Sequence, residues 1–321
     1  MNSINITTAQ IPGDKGYWEL ADLANLQQRC TSFGLQLEVL ENTPHHFYDH
    51  IMTGGPKRDM QLDNYRTTLR NVAAAGIPVF GFHFMATGVW RTTLSAPIRG
   101  GATATAFDLD AAISGNVLAL KSDLEDRYQA DRIGRNGHGK SATSADEVWE
   151  NYRIFLDAIL PVAEEVGLSL AQHPDDPPVE EINGFARVFN SPENLRKAMQ
   201  LANGSPAWGL NLCLGTVSEM IGGADAVHEV IAHFGPLGKI RYVHMRDVQG
   251  TVPKFQECFI GEGNYCPPAV LRQLKDVGFD GWLQDDHVPF MTEDSQYGHR
   301  ARAHAIGYLQ GILATLENRA S

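Results

Sequence analysis

A chain of 321 residues with 43% hydrophobic content is long enough to bury a large core, which excludes a disordered tail or a small disulfide scaffold as the whole protein. Its formal net charge of -12 and pI of about 5.4 set the average field against phosphate, so neither nucleic acid nor an anionic membrane is an expected partner. The first residues do not resemble a signal peptide, no apolar run of about 18 residues occurs, and the four cysteines, Cys30, Cys213, Cys258 and Cys266, form no CxxC pair, so a cytoplasmic, reducing setting is expected.

Short runs rich in Val, Ile, Leu and Phe alternate with stretches of helical period, the pattern of βα units around a parallel sheet. A weak strand at 4–8 precedes 35–41 (LQLEVLE) and 78–84 (PVFGFHF), and the helix between the latter two covers 65–75 and stops at Gly76 as a C-cap. Next comes a Gly-rich, charged excursion over about 95–144, with IRGGATATAF and RIGRNGHGKSAT in it. It is too long for an ordinary βα loop and is read as a lid or an oligomer contact, not as a second domain. Ser144 with Glu147 forms a capping box for a helix running to about 166, ahead of a strand at 168–173 (LSLAQH). Asn190 or Ser191 caps the next helix, with Pro192 in its first turn, and strands follow at 208–213 (WGLNLC), 240–246 (IRYVHMR) and 281–286 (GWLQDD). These make seven strands where a closed barrel of this kind wants eight, so the first strand is either missing or degenerate. The expected fold is a single α/β domain over 1–321, a (β/α)8 TIM barrel.

Four successive strands deliver a potential metal ligand at the same end: His173 in HPDDPP, Cys213 in NLCLGT, His244 in YVHMRD and Asp286 in LQDDHVP. In a parallel barrel those ends surround one cavity, where barrel active sites sit. Imidazole, thiolate and carboxylate together accept Mn2+, Fe2+, Co2+ or Zn2+. Taken singly, a strand-end His or a buried Cys is ordinarily a packed residue and nothing more; four at equivalent positions reverse that expectation. Asp175 and Asp176 either form a turn or orient a ligand histidine. Arg246 shares the inward alternation of His244 and suits the carboxylate of an anionic substrate. Further candidates at the mouth are His83, Trp90 and Arg91 after the 78–84 strand, and Glu41, Asn42, His45 and His46 after the 35–41 strand. His138, His228 and His233 receive no role, and Cys30, Cys258 and Cys266 are taken as structural or incidental.

The segments GLQLEVLEN, GGPKRDMQLDNYRTTLRNVAAAGIPVFGFHFMATGVW, LAQHPDDPP, NLCLGTVSEM, KIRYVHMRDVQGTVPKF and DGWLQDDHVPFM, in this order, resemble the mannonate dehydratase family of the xylose isomerase-like barrels. The resemblance implies dehydration of a sugar acid, D-mannonate to 2-keto-3-deoxy-D-gluconate, with Mn2+ or Fe2+ held by a His, Cys, His, Asp set that corresponds to His173, Cys213, His244 and Asp286. His287 resembles the family's catalytic histidine, and general acid work near neutral pH suits it. The chain departs from the pattern in having Asp285 where a Pro usually stands. It also has RARAHAIGYL where a catalytic tyrosine is expected, which leaves His304, Tyr297 and Tyr308 as candidates for the second proton transfer. Family members usually begin with an additional strand and helix, so an open barrel seam covered by a partner subunit or by the chain's own tail is expected, and a homo-oligomer is the expected assembly. The alternatives are an isomerase or epimerase of the same superfamily, and a homologue that binds a sugar acid without turning it over.

Overall fold

The computed structural model of the chain describes residues 3–6, 11–113, 118–119 and 142–317. Seven parallel strands, β1 (Ser3–Ile6), β2 (Gln36–Glu41), β3 (Val79–Phe82), β4 (Ser169–Gln172), β5 (Trp208–Cys213), β6 (Ile240–Met245) and β7 (Trp282–Asp285), are hydrogen bonded in that order. Parallel neighbours require a crossover between them. The helices Leu20–Ser32, Arg58–Ala74, Ala145–Val166, Pro192–Leu201, Ala224–Phe234 and Pro267–Asp276 supply the crossovers in turn, and His299–Glu317 follows β7. The result is a nearly closed barrel whose seam lies between β7 and β1, which do not pair with each other among the described residues. β3 and β5 are buried at every position, because helices cover one face and the barrel interior the other.

Local sequence cues set the helix ends. The Glu147 amide donates to Ser144 Oγ at 3.3 Å and the Ser144 amide donates to the Glu147 carboxylate at 2.8 Å, which completes the capping box. Ser191 caps the helix that starts with Pro192. The helix expected over 65–75 begins earlier, at Arg58, because its first turns bury only Gln61 and Leu62 and so show little apolar period. Of the strand expected at 4–8, residues 7 and 8 lie outside the described residues.

A second sheet, absent from the sequence-based expectation, sits beside the barrel mouth. It is antiparallel, with Asp247–Thr251, Lys254–Cys258, Thr103–Asp108 and Thr93–Pro97 in that order. The start of the 95–144 excursion is therefore sheet. Residues 114–117 and 120–141, with His138, lie outside the described residues. Its pairing partners come from far along the chain, where Phe107 stacks on Phe255 with ring centroids 5.6 Å apart. The hairpin Asp247–Thr251 and Lys254–Cys258 continues directly from β6, so it carries Glu257 to the strand ends where the candidate ligands stand. Inside the barrel, a β-carbon on Gly81 would overlap the Tyr242 hydroxyl and crowd Glu41, so only glycine lets these two polar side chains share the interior beneath the mouth. Among the described residues no helix is long and apolar enough to cross a membrane.

Candidate metal centre

Parallel register sets Cys213 of β5 beside His244 of β6, and Met245 beside Asp285 of β7. His173 and Asp286 each follow directly on a strand end. The donor atoms of His173, Cys213 and His244 lie within 4.8 Å of one another. Asp286 Oδ2 stands 3.7 Å from Cys213 Sγ and 3.8 Å from His244 Nδ1. The sequence-selected set thus converges on one point.

Each donor is prepared for a cation. His173 Nδ1 lies 2.6 Å from the Pro174 carbonyl, which can only accept, so the proton sits on Nδ1 and Nε2 keeps its lone pair. Cys213 caps the short helix Leu214–Glu219, and its Sγ accepts from the Thr216 amide at 3.4 Å and the Thr216 hydroxyl at 3.2 Å. His244 Nε2 lies 3.1 Å from Glu41 Oε2, while its Nδ1 is buried without a hydrogen-bond partner among the described residues. A buried ring nitrogen without a hydrogen-bond partner among the described residues, set between a thiol and a carboxylate, is a position that a bound cation would satisfy on displacing its proton. Two imidazoles, a sulfur and a carboxylate fit a transition-metal ion.

Burial opposes a charge on His244, but Glu41 and Asp286 outweigh it and raise its pKa to about 10. His287 behaves alike: desolvation is overcome by Asp286 and Glu257, and the ring is pushed up to about 9. Burial would lift Asp286, yet His287, His244 and Arg246 hold its carboxyl well below the usual carboxylate range. A cation entering here therefore displaces a proton from His244, which couples metal affinity to pH.

Behind the donors lies a buried ionic cluster of Arg91, Arg246, Asp176, Glu219 and Glu257. Arg246 Nη1 donates to Asp176 Oδ2 at 2.8 Å, and its Nη2 to Thr216 Oγ1 at 2.8 Å and Glu219 Oε1 at 3.0 Å. Arg91 pairs with Asp176 and donates to Glu257 Oε1 at 2.8 Å. Gly215 makes room for this packing, since a β-carbon there would overlap the Arg246 guanidinium. Both arginines were expected to face a substrate; in the fold both guanidiniums are engaged by the protein's own carboxylates. Burial and the neighbouring Asp176 push Glu219 up to about 8 against the pull of Arg246 and Arg91. Burial acts upward on Glu257 too, but His287 and Arg91 bring it down to about 2.

The remaining sequence candidates scatter. Asp175 Oδ2 accepts from the Phe189 amide at 2.8 Å, and burial raises its carboxyl to about 6. Trp90 is buried against Phe107 and Phe255, its Nε1 donating to the Thr87 carbonyl at 2.7 Å. His83 lies 3.2 Å from the Tyr48 hydroxyl. Asn42 has a left-handed backbone, φ 61°, and its Oδ1 is buried without a partner among the described residues. His304 lines a small cleft with His287, Arg246 and Phe259, and its ring lies 5.4 Å from that of Phe259. The Tyr308 ring lies 6.5 Å from that of His304. Tyr297 is 60% exposed and stacks on the Arg302 guanidinium, 4.5 Å from its ring centroid. Arg302 donates to Asp285 Oδ2 at 2.7 Å and to the Asp286 carbonyl at 3.1 Å, so the Asp285 carboxylate is paired. Glu219, Glu257, Thr216 and Arg302 were missed by sequence reasoning. Thr216 and Glu219 lie in NLCLGTVSEM and Arg302 in RARAHAIGYL, yet no chemistry marks them there; for these three, as for Glu257, only the partners met in the fold do.

The barrel itself matches a xylose isomerase domain protein from Planctomyces limnophilus, with a TM-score of 0.60 over 99% of this chain and 90% of that one at 15% identity, a likeness of fold alone. Fold and donor cluster together define a xylose isomerase-like barrel with a candidate metal centre at its mouth. More particularly, a family model described as D-mannonate dehydratase (UxuA) matches residues 2–321, and the chain belongs to the D-mannonate dehydratase family of hydro-lyases. It is 32% identical to mannonate dehydratase 2 of Halalkalibacterium halodurans over 94% of this chain and 92% of that protein. Mannonate dehydratase of Geobacillus thermodenitrificans is 30% identical, over 96% and 90% respectively. The crystal structure of mannonate dehydratase from Streptococcus suis serotype 2 superposes with a TM-score of 0.81 at 28% identity, covering 100% of this chain and 89% of that one.

Proposed function

We propose that this chain converts D-mannonate to 2-keto-3-deoxy-D-gluconate and water, with Mn2+ or Fe2+ held by His173, Cys213, His244 and Asp286. The observation that carries the metal assignment is the buried, unpartnered Nδ1 of His244, set close to Asp286 Oδ2 within the donor cluster. When bound, the ion supplies positive charge against the negative charge that develops as the proton alpha to the carboxylate is removed.

The chain's own groups move the protons. His287 follows the ligand Asp286, and the carboxylates of Asp286 and Glu257 keep its ring charged near neutral pH. It therefore carries the proton that the departing hydroxyl on the neighbouring carbon needs. His304 shares the His287 cleft and takes the alpha proton; Tyr297, stacked on Arg302, is not among the residues that line that cleft. Asn42 and His83, after β2 and β3, meet substrate hydroxyls, the buried free Oδ1 of Asn42 supporting its share. Arg246, Arg91 and Asp176 hold the wall of the site. A homo-oligomer that covers the β7 and β1 edges, in a cytoplasmic setting, completes the proposal.

The test is anaerobic incubation of metal-stripped protein with Mn2+ or Fe2+ and D-mannonate, following 2-keto-3-deoxygluconate against a Cys213→Ala control. Product that depends on metal and is absent from the control supports the proposal. Metal binding without product, or no metal binding, refutes it.

A further inference from the structure

We infer that Glu257 is the positioning residue of His287: it holds the proton on Nδ1 and so presents Nε2 to the substrate. This inference rests on the assignment of His287 as the acid. Glu257 belongs to the mouth sheet, on Lys254–Cys258, not to the barrel that supplies the metal donors. Its Oε1 lies 2.8 Å from His287 Nδ1 and 2.8 Å from Arg91 Nη2, and the side chain is 5% exposed.

Among the described residues two polar atoms lie within reach of His287 Nδ1, and hydrogen counting chooses between them. Arg246 Nη1 is 3.0 Å away, but it carries two hydrogens and has two carboxylate acceptors, Asp176 Oδ2 at 2.8 Å and Glu257 Oε1 at 3.2 Å. No hydrogen remains for the imidazole. Nδ1 must then be the donor and Glu257 the acceptor. Nε2, 3.9 Å from Asp286 Oδ1, is the nitrogen turned toward the ligand carboxylate.

In the reaction, Nε2 gives its proton to the hydroxyl as the carbon–oxygen bond breaks. The electron pair left by the alpha proton becomes the carbon–carbon double bond, and water departs. The ring ends neutral, with its one proton on Nδ1 still donated to Glu257, and regains a proton at Nε2 from solvent before the next turnover. A free ring would divide between tautomers and rotate about its side-chain bonds, whereas a buried carboxylate tied to Arg91 fixes both.

The experiment uses the Mn2+-loaded enzyme with D-mannonate and compares Glu257→Gln, Glu257→Asp, His287→Asn and the double variant that combines Glu257→Gln with His287→Asn. Glu257→Gln, which keeps an acceptor oxygen but loses the carboxylate, is expected to lower kcat about 10-fold with KM and Mn2+ affinity within about threefold of wild type. In the His287→Asn background the same change is expected to lower the residual rate no further, because Glu257 acts through that ring. A parallel loss of Mn2+ affinity, an additive loss in the double variant, or unchanged kcat would each overturn the inference. Should Glu257→Gln fail to fold, Glu257→Asp keeps the charge for Arg91 but draws the oxygen away from Nδ1, and the same kcat loss with metal affinity kept is expected of it. The two assignments separate cleanly. Full turnover in His287→Asn sinks the acid and Glu257 with it, while an inactive His287→Asn beside a fully active Glu257→Gln sinks the positioning role alone.

Discussion

Glu41 stands behind the metal centre, and its replacement is the most direct probe of how the donors are held. It is 2% exposed, with Oε2 3.1 Å from His244 Nε2 and Oε1 accepting from Asn211 Nδ2 at 3.2 Å. Nε2 also has the side-chain amides of Gln284 at 3.0 Å and Asn211 at 3.3 Å, but the carboxylate is the neighbour that can only accept, and it favours a proton on Nε2 with Nδ1 turned to the donor side. Loss of such a partner weakens metal binding about 10- to 100-fold, or about 1.4–2.7 kcal/mol. The lower end is expected for Glu41→Gln, whose carbonyl still accepts from Nε2, and the upper end for Glu41→Leu, which leaves both His244 and Asn211 without that acceptor. Calorimetric titration of metal-stripped protein with Mn2+ measures the change, and thermal unfolding in chelator verifies that each variant folds. An unchanged Mn2+ affinity in a folded Glu41→Leu protein would refute the assignment of Nδ1 as the ligand atom and of Glu41 as its support.

Arg91→Leu strips one guanidinium from the buried cluster and leaves Asp176 and Glu257 short of a partner, so denaturant unfolding is expected to show a loss of about 3–5 kcal/mol; a loss below about 1 kcal/mol means that Arg246 alone suffices. Ser144→Ala removes the cap of Ala145–Val166 and is expected to cost about 1 kcal/mol with kcat unchanged, checked by parallel unfolding and activity measurements. Glu219 supplies a pH test. Its pKa rises from 4.5 to about 8 on folding, so the folded chain binds this proton more tightly than the unfolded one. The stability it contributes is full below the lower value and is lost as pH rises through the upper one. The unfolding midpoint of the wild type is therefore expected to fall between about pH 5 and 9 by more than that of Glu219→Gln, and parallel curves would contradict the burial cause.

What the sequence alone determined about this protein was local or periodic. The seven barrel strands are apolar runs of strand length, β5 agreeing with its expected bounds at both ends. The capping box at Ser144 needs only residues three apart. His173, Cys213, His244 and Asp286 were visible because a parallel barrel gathers every strand's C-terminal end at one mouth, so position within a strand stands in for position in space. Tertiary structure decided whatever depends on convergence of distant segments. The pairing of Thr103–Asp108 with Lys254–Cys258 has no local signature, and with it Glu257 stays hidden. Arg246 carries the inward alternation that a substrate clamp would show, yet its partners come from Asp176, Glu219 and Glu257 on three other segments. His304 and Tyr297 are near neighbours in sequence and both are exposed, but Tyr297 stacks on Arg302 while His304 lines the His287 cleft. The physical reason is that alternation tells which way a side chain points, whereas whether it meets substrate or a carboxylate of its own chain depends on what else the fold brings there.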